Sequence, residues 1–137
     1  MPGRLAGARI AIIEDDTLLR ESLALFLRVR GGHVETYGSA EEAGEAVTQG
    51  RFDAVISDYL LPGENGLSFL RKVLKSSESA GTVLITAHAG KDMSKEALAA
   101  GIHTFLTKPF STKELEAALE RILERRGAGR DGAIEAT

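Results

Sequence analysis

At 137 residues the chain has room for one domain with a real core and not for a second of ordinary size, and its 43% hydrophobic and 27% charged residues exclude collagen-like and disordered composition. A net charge of −3 and a pI near 5.6 supply no basic field, so direct nucleic-acid binding by this chain is not expected. Without cysteine there are no disulfides, thiolate chemistry or Cys-based zinc sites. With no signal-peptide pattern and no apolar run of membrane-spanning length, the expected address is the cytoplasm, away from the membrane.

Along the chain, short apolar runs alternate five times with amphipathic stretches, the mark of βα units around a parallel sheet. The first expected strand is Arg9 to Ile13. A helix follows in which Leu19, Leu23, Phe26 and Leu27 share one face and which Gly31 and Gly32 can stop. The second strand is expected at His33 to Tyr37, and Ser39 with Glu42 form a capping box that opens the second helix. The third strand, Asp53 to Ser57, leads to a helix carrying Leu67, Leu70, Val73 and Leu74 on one side. After the fourth strand, Thr82 to Thr86, a helix at about Asp92 to Ala100 is apolar mainly through Met93, Ala97 and Leu98, so it is expected to be weakly anchored. The fifth strand is expected at His103 to Thr107. Ser111 and Glu114 form the second capping box, and Leu115, Ala118, Leu119, Ile122 and Leu123 line the last helix. From Gly127 the chain has three glycines and no apolar periodicity, so residues 127–137 are expected to be a disordered tail or a linker. Right-handed crossovers then give an α/β fold, a doubly wound five-stranded parallel (βα)5 sheet, with any active site in the loops at the carboxyl ends of the strands.

Charged and polar residues collect at that edge. The first strand runs into Glu14, Asp15 and Asp16, where a nucleotide-binding fold would need glycines; carboxylates repel a bare phosphate and invite a cation. Asp58 ends the third strand. Like charges about 4 Å apart repel by roughly 4 kcal/mol at an effective dielectric near 20, so the cluster needs compensation, and a hard oxygen-liganded ion suits it. The bland alternatives are helix capping for Asp15 and Asp16, preferred for Asp16, and a turn acid ahead of Pro62 and Gly63 for Asp58. Thr86 and Lys108 end the fourth and fifth strands. Singly they read as a β-favouring Thr and a solvated Lys, but together with Asp58 they supply a nucleophile and donors for phosphoryl transfer to a carboxylate.

The acidic run in IIEDD, the aspartate in VISDYLLPGENG, the ITA ending the fourth strand and the FLTKPF after the fifth resemble the motif set of bacterial response-regulator receiver domains. The resemblance spans about Arg9 to Leu123. It implies a flavodoxin-like sheet in the order 2-1-3-4-5 and a receiver domain over residues 8–126. By resemblance, Asp58 is the phospho-acceptor, Glu14 and Asp15 are the acidic pair, and Asp15, Asp58 and the Leu60 carbonyl are ligands of Mg²⁺ (or Mn²⁺). Thr86 is the switch hydroxyl, Lys108 the phosphoryl-binding cation, Phe105 the aromatic switch, and the bond to Pro109 is usually cis. Leu60 and His88 stand where receivers tune phosphoryl lifetime, and Leu60 is expected to lengthen it by excluding water.

The implied partners are a sensor histidine kinase or a histidine phosphotransfer protein upstream, and a downstream protein or missing effector domain, with a phosphorylation-dependent homodimer also within the family's range. The implied function is that of a signalling phosphoacceptor rather than an enzyme, which switches its surface of fourth helix, fifth strand and fifth helix. The alternative is the regulatory part of a transcription factor whose DNA-binding domain is absent from this chain. A haloacid-dehalogenase-type phosphatase would want an aspartate at position 60, which is Leu60. A pseudo-receiver would not need the full set of Asp15, Asp58, Thr86 and Lys108.

Overall fold

The computed structural model describes residues 5–76, 80–87 and 90–136, with side chains of the last helix described as far as Arg125. Five strands, β1 (Arg9–Ile13), β2 (His33–Tyr37), β3 (Ala54–Asp58), β4 (Gly81–Thr86) and β5 (Thr104–Thr107), alternate with helices α1 (Thr17–Val29), α2 (Ala40–Gln49), α3 (Gly66–Ser76), α4 (Lys91–Ala100) and α5 (Thr112–Ala136). All pairings are parallel, in the order β2-β1-β3-β4-β5, the doubly wound arrangement expected from the sequence.

Alternation along the central strands divides the core between two helical layers, because successive strand residues face opposite ways. Ile10, Ile12, Ala54, Ile56, Val83 and Ile85 point to the side covered by α1 and α5. Ala11, Ile13, Val55 and Leu84 point to the side covered by α2, α3 and α4. The helical faces read from the sequence meet these layers: Leu23 and Leu27 in α1, Leu67, Leu70 and Val73 in α3, and Leu115, Ala118, Leu119 and Ile122 in α5 are all buried.

Local chemistry sets the ends of the helices. Asp16 is the N-cap of α1 and accepts the Leu19 N–H at 3.1 Å. At the other end Gly31 adopts φ +92°, and its N–H and that of Gly32 close on the carbonyls of Arg28 and Leu27, a left-handed exit that glycine makes without a Cβ clash. Ser39 accepts the Glu42 N–H at 3.1 Å, but the Glu42 carboxylate reaches back one residue further than a reciprocal box requires, to the Gly38 N–H at 2.8 Å. Ser111 accepts the Glu114 N–H at 3.1 Å.

Three strands differ from expectation by one residue at an end. β3 runs Ala54–Asp58 rather than from Asp53 to Ser57; Asp53 stands at its entry, where its N–H donates to the Arg9 carbonyl at 2.8 Å and its side chain accepts the Arg9 N–H at 2.8 Å. β4 starts one residue early, at Gly81, which pairs with Ala54. β5 starts at Thr104, because His103 spends its ring and its N–H on Thr82.

Helix α5 continues to Ala136. Residues 127–136 continue that helix. Once a helix is nucleated, each further residue adds a bond for little extra ordering, so glycines weaken it without ending it.

Candidate functional site

Register places the chemistry. Asp58 ends β3 opposite Ile85, the residue before Thr86. The Lys108 N–H donates to the Thr86 carbonyl at 2.8 Å, which holds the ends of β4 and β5 together. Glu14 follows β1, and its N–H donates to the Tyr37 carbonyl at 3.0 Å. Glu14, Asp15, Asp58, Thr86 and Lys108 therefore line one cleft of about 650 Å³, with Leu60 at its rim.

Within it, Lys108 Nζ donates to Asp58 Oδ2 at 2.9 Å and lies 3.8 Å from Glu14 Oε2. Asp58 is 5% exposed and Glu14 2%. One carboxylate oxygen each from Glu14, Asp15 and Asp58 fall within 4.8 Å of one another. Glu14 Oε1 accepts the Asp16 N–H at 3.1 Å, whereas Oε2 is buried without a hydrogen-bond partner. Burial, together with the Asp58 carboxylate beside it, pushes the Glu14 pKa up to about 8. Burial works against the charge on Lys108, but Asp58, Glu14 and Asp15 outweigh it and hold its pKa above the ordinary lysine value.

These residues fit a hard divalent cation. The donors are carboxylate oxygens, one of them buried with unused acceptor capacity, and among the described residues the Lys108 ammonium faces three acids. Mg²⁺ or Mn²⁺ matches that donor set.

The remaining expected residues fall as follows. Thr86 is 3% exposed and lines the cleft. Phe105 is half-buried and packs on the core cluster that contains Leu84 and Ala97. The Lys108-Pro109 peptide bond is cis. The Leu60 side chain is 78% exposed, at the mouth of the cleft rather than sealed inside it. His88 lies outside the described residues.

Sequence reasoning missed two positioning residues. Arg20, on α1, donates to the Glu14 carbonyl at 2.8 Å and ties down the acidic turn. Glu41, on α2, accepts the Glu64 N–H at 3.2 Å and packs against Gly63, where a Cβ would lie 2.6 Å from its Oε1. It thereby holds the β3–α3 loop that carries Leu60. Arg20 could have been suspected as a cation close in sequence to an acidic run, but Glu41 reads locally only as a first-turn acid.

The family model of the response regulator receiver domain matches residues 10–120. Among curated proteins, the chain is 34% identical over 128 residues to "Two-component response regulator PhoP" of Pseudomonas aeruginosa, covering 93% of this chain and 57% of that protein. It is 34% identical over 125 residues to "Transcriptional regulatory protein TcrA" of Mycobacterium tuberculosis, covering 91% of this chain and 49% of that one. The chain thus spans about half the length of the curated relatives it matches. Among solved structures, a CheY-like response regulator receiver domain protein from Methanospirillum hungatei superposes with a TM-score of 0.85 at 25% identity, covering 89% of this chain and 98% of that one.

Proposed function

The chain belongs to the response-regulator receiver domain family, and from that premise we propose that it takes a phosphoryl group onto Asp58 from the phosphohistidine of a sensor kinase or histidine phosphotransfer protein. The observation that carries this reading is the Lys108 to Asp58 contact of 2.9 Å beside the carboxylates of Glu14 and Asp15. The family is one of signalling phosphoacceptors rather than classical enzymes.

In the proposed transfer an Asp58 carboxylate oxygen attacks phosphorus, the phosphorus–nitrogen bond breaks, and its electron pair leaves on the donor's imidazole. Lys108 turns its ammonium from the Asp58 carboxylate toward the phosphoryl oxygens, and the Thr86 hydroxyl donates to one of them. Asp15, Asp58 and the Leu60 carbonyl would hold Mg²⁺ or Mn²⁺, with Glu14 supporting the cluster. When bound, that cation would neutralise charge between the acids and the incoming group. Beside Lys108 an apolar cleft of about 500 Å³, lined by Leu19, Leu23, Pro109 and Phe110, offers a donor protein somewhere to seat next to the acceptor. Among the described residues no helix is long and apolar enough to cross a membrane.

The response we propose is a shift of the α4-β5-α5 face, driven by Thr86 and Phe105. Helix α4 suits that role. Ala97 is its buried apolar anchor, its N-cap Gly90 makes no side-chain cap bond, and its Met93 reaches the cleft, so it is cheap to displace. Beryllofluoride with Mg²⁺, mimicking the phosphoryl group, should alter amide exchange most between Thr86 and Arg121. Changes confined to α2 would contradict this.

Leu60 offers an attacking water no hydrogen bond, so Leu60→Asn should shorten the life of the aspartyl phosphate at fixed pH and Mg²⁺. An unchanged or slower decay would remove Leu60 from lifetime control. A second reading, the regulatory part of a transcription factor, is favoured by the name of the Mycobacterium tuberculosis relative, of which this chain covers 49%. The full reading frame decides it: a DNA-binding domain would support that reading, and its absence would refute it.

A further inference from the structure

At the end of the sheet remote from Asp58, His103 is held in one orientation by Thr82, which is fully buried in β4. The His103 N–H donates to Thr82 Oγ1 at 3.1 Å, Oγ1 lies 2.9 Å from the ring Nδ1, and the Thr82 backbone N–H donates to the same Nδ1 at 3.1 Å. A backbone N–H can only donate, so Nδ1 is the accepting nitrogen and the proton of the neutral ring sits on Nε2. Burial and the nearby Arg125 hold the ring's pKa below the ordinary histidine value. His103 thus keeps a fixed N–H donor away from Thr82.

Next to it is a small cavity of about 140 Å³ lined by His103, Thr104, Arg121, Ile122 and Arg125. Among the described residues no carboxylate lines it. The ion pairs of Arg30, Lys72 and Lys108 lie elsewhere, and the two guanidiniums stand one helical turn apart on α5. Like charges at that spacing disfavour the helix unless something neutralises them. The volume corresponds to a few waters, room for one oxyanion and not for a nucleotide. Two guanidinium forks, a fixed imidazole N–H and a threonine hydroxyl offer donors from several directions, which suits the oxygens of a carboxylate or phosphate group.

We propose that this pocket at the start of β5 binds a single oxyanion, a carboxylate or a phosphate group, independently of the acceptor cleft. Its place on the β5–α5 surface puts the bound group where an acidic side chain of a partner could supply it, and free phosphate offers the same chemistry.

The test follows the His103 ring by NMR in the full chain without divalent cation. Inorganic phosphate and a glutamate-rich peptide are titrated separately against chloride at matched ionic strength. Binding should shift the Nε2 and Cε1 signals saturably, raise the His103 pKa toward the ordinary value, and leave His33 unmoved. Arg121→Gln and Arg125→Gln should each weaken the response several-fold, and Asp58→Asn should retain it, which separates this site from the phosphoryl chemistry. A stronger response to the peptide assigns the pocket to an acidic partner, and a stronger response to phosphate assigns it to the free ion. A response that chloride reproduces, or that survives in the double arginine variant, would overturn the proposal.

Discussion

Without a divalent cation, the protein should lose stability as the pH rises from about 5 to about 8, and Glu14→Gln should abolish most of that loss. The Glu14 carboxyl has a pKa near 8 in the folded chain against an ordinary value of 4.5. Below the ordinary value both states hold the proton and pH has no effect. Between the two values the unfolded chain has released it while the folded chain still binds it, so stability falls with rising pH, and above the folded value the loss is complete. For a carboxyl this deeply buried the loss is on the order of a few kcal/mol. His103 works with the opposite sign, since its lowered pKa favours folding as the ring loses its proton, and the difference between wild type and Glu14→Gln isolates the glutamate. Chemical denaturation at several pH values, with chelator and then with Mg²⁺, measures it. Mg²⁺ should flatten the wild-type slope by favouring the ionised cluster. Parallel slopes in wild type and Glu14→Gln would show that Glu14 is not held protonated by its site.

The second large effect falls on a glycine. Gly66 opens α3 directly against the end of β3, and a Cβ there would collide with the Asp58 carbonyl oxygen and lie 2.8 Å from both the Asp58 carbonyl carbon and Ser57 Oγ. The obstacle is backbone of a central strand, tied to its neighbour through the Tyr59 N–H bond to Ile85 at 2.7 Å, so it cannot yield as a flexible side chain would. The Gly66 N–H also donates to the Tyr59 carbonyl at 2.8 Å, which fixes the approach. Gly66→Ala should therefore cost about 3 kcal/mol or more, at the upper end for overpacking, and should displace Asp58 from Lys108. Urea unfolding of the variant measures the cost. A loss below about 1 kcal/mol would mean that α3 can lift off the strand end without penalty.

The same contrast explains what could be read in advance. Strands β1 and β2 match their expected limits because alternating or continuous apolar runs are a property of the strand alone. The faces of α1, α3 and α5 were visible for the same reason, as was Asp16 as a cap, whereas Leu98, expected on the apolar side of α4, is 69% exposed. The one-residue shift of β5 was not visible, since it depends on His103 reaching Thr82 across the sheet. Phe69, 2% exposed, was absent from the expected α3 face because its burial depends on the neighbouring α2 layer as well as on helical period. At the site, the order of Glu14, Asp15, Asp58, Thr86 and Lys108 along the chain showed which strand ends bring their side chains to one cleft. The depth of Glu14, the loop tether from Glu41 and the close approach at Gly66 arise only when distant elements pack.

The central claim is that Asp58 is the phosphoryl acceptor, and the most direct test is to locate the group after exposure to acetyl phosphate and Mg²⁺. Aspartyl phosphates can be reduced in place and the modified residue found by peptide mass spectrometry. The label should appear on Asp58 alone, disappear in Asp58→Asn, and depend on the divalent cation. Label on another carboxylate in wild type, or undiminished label in Asp58→Asn, would contradict the account.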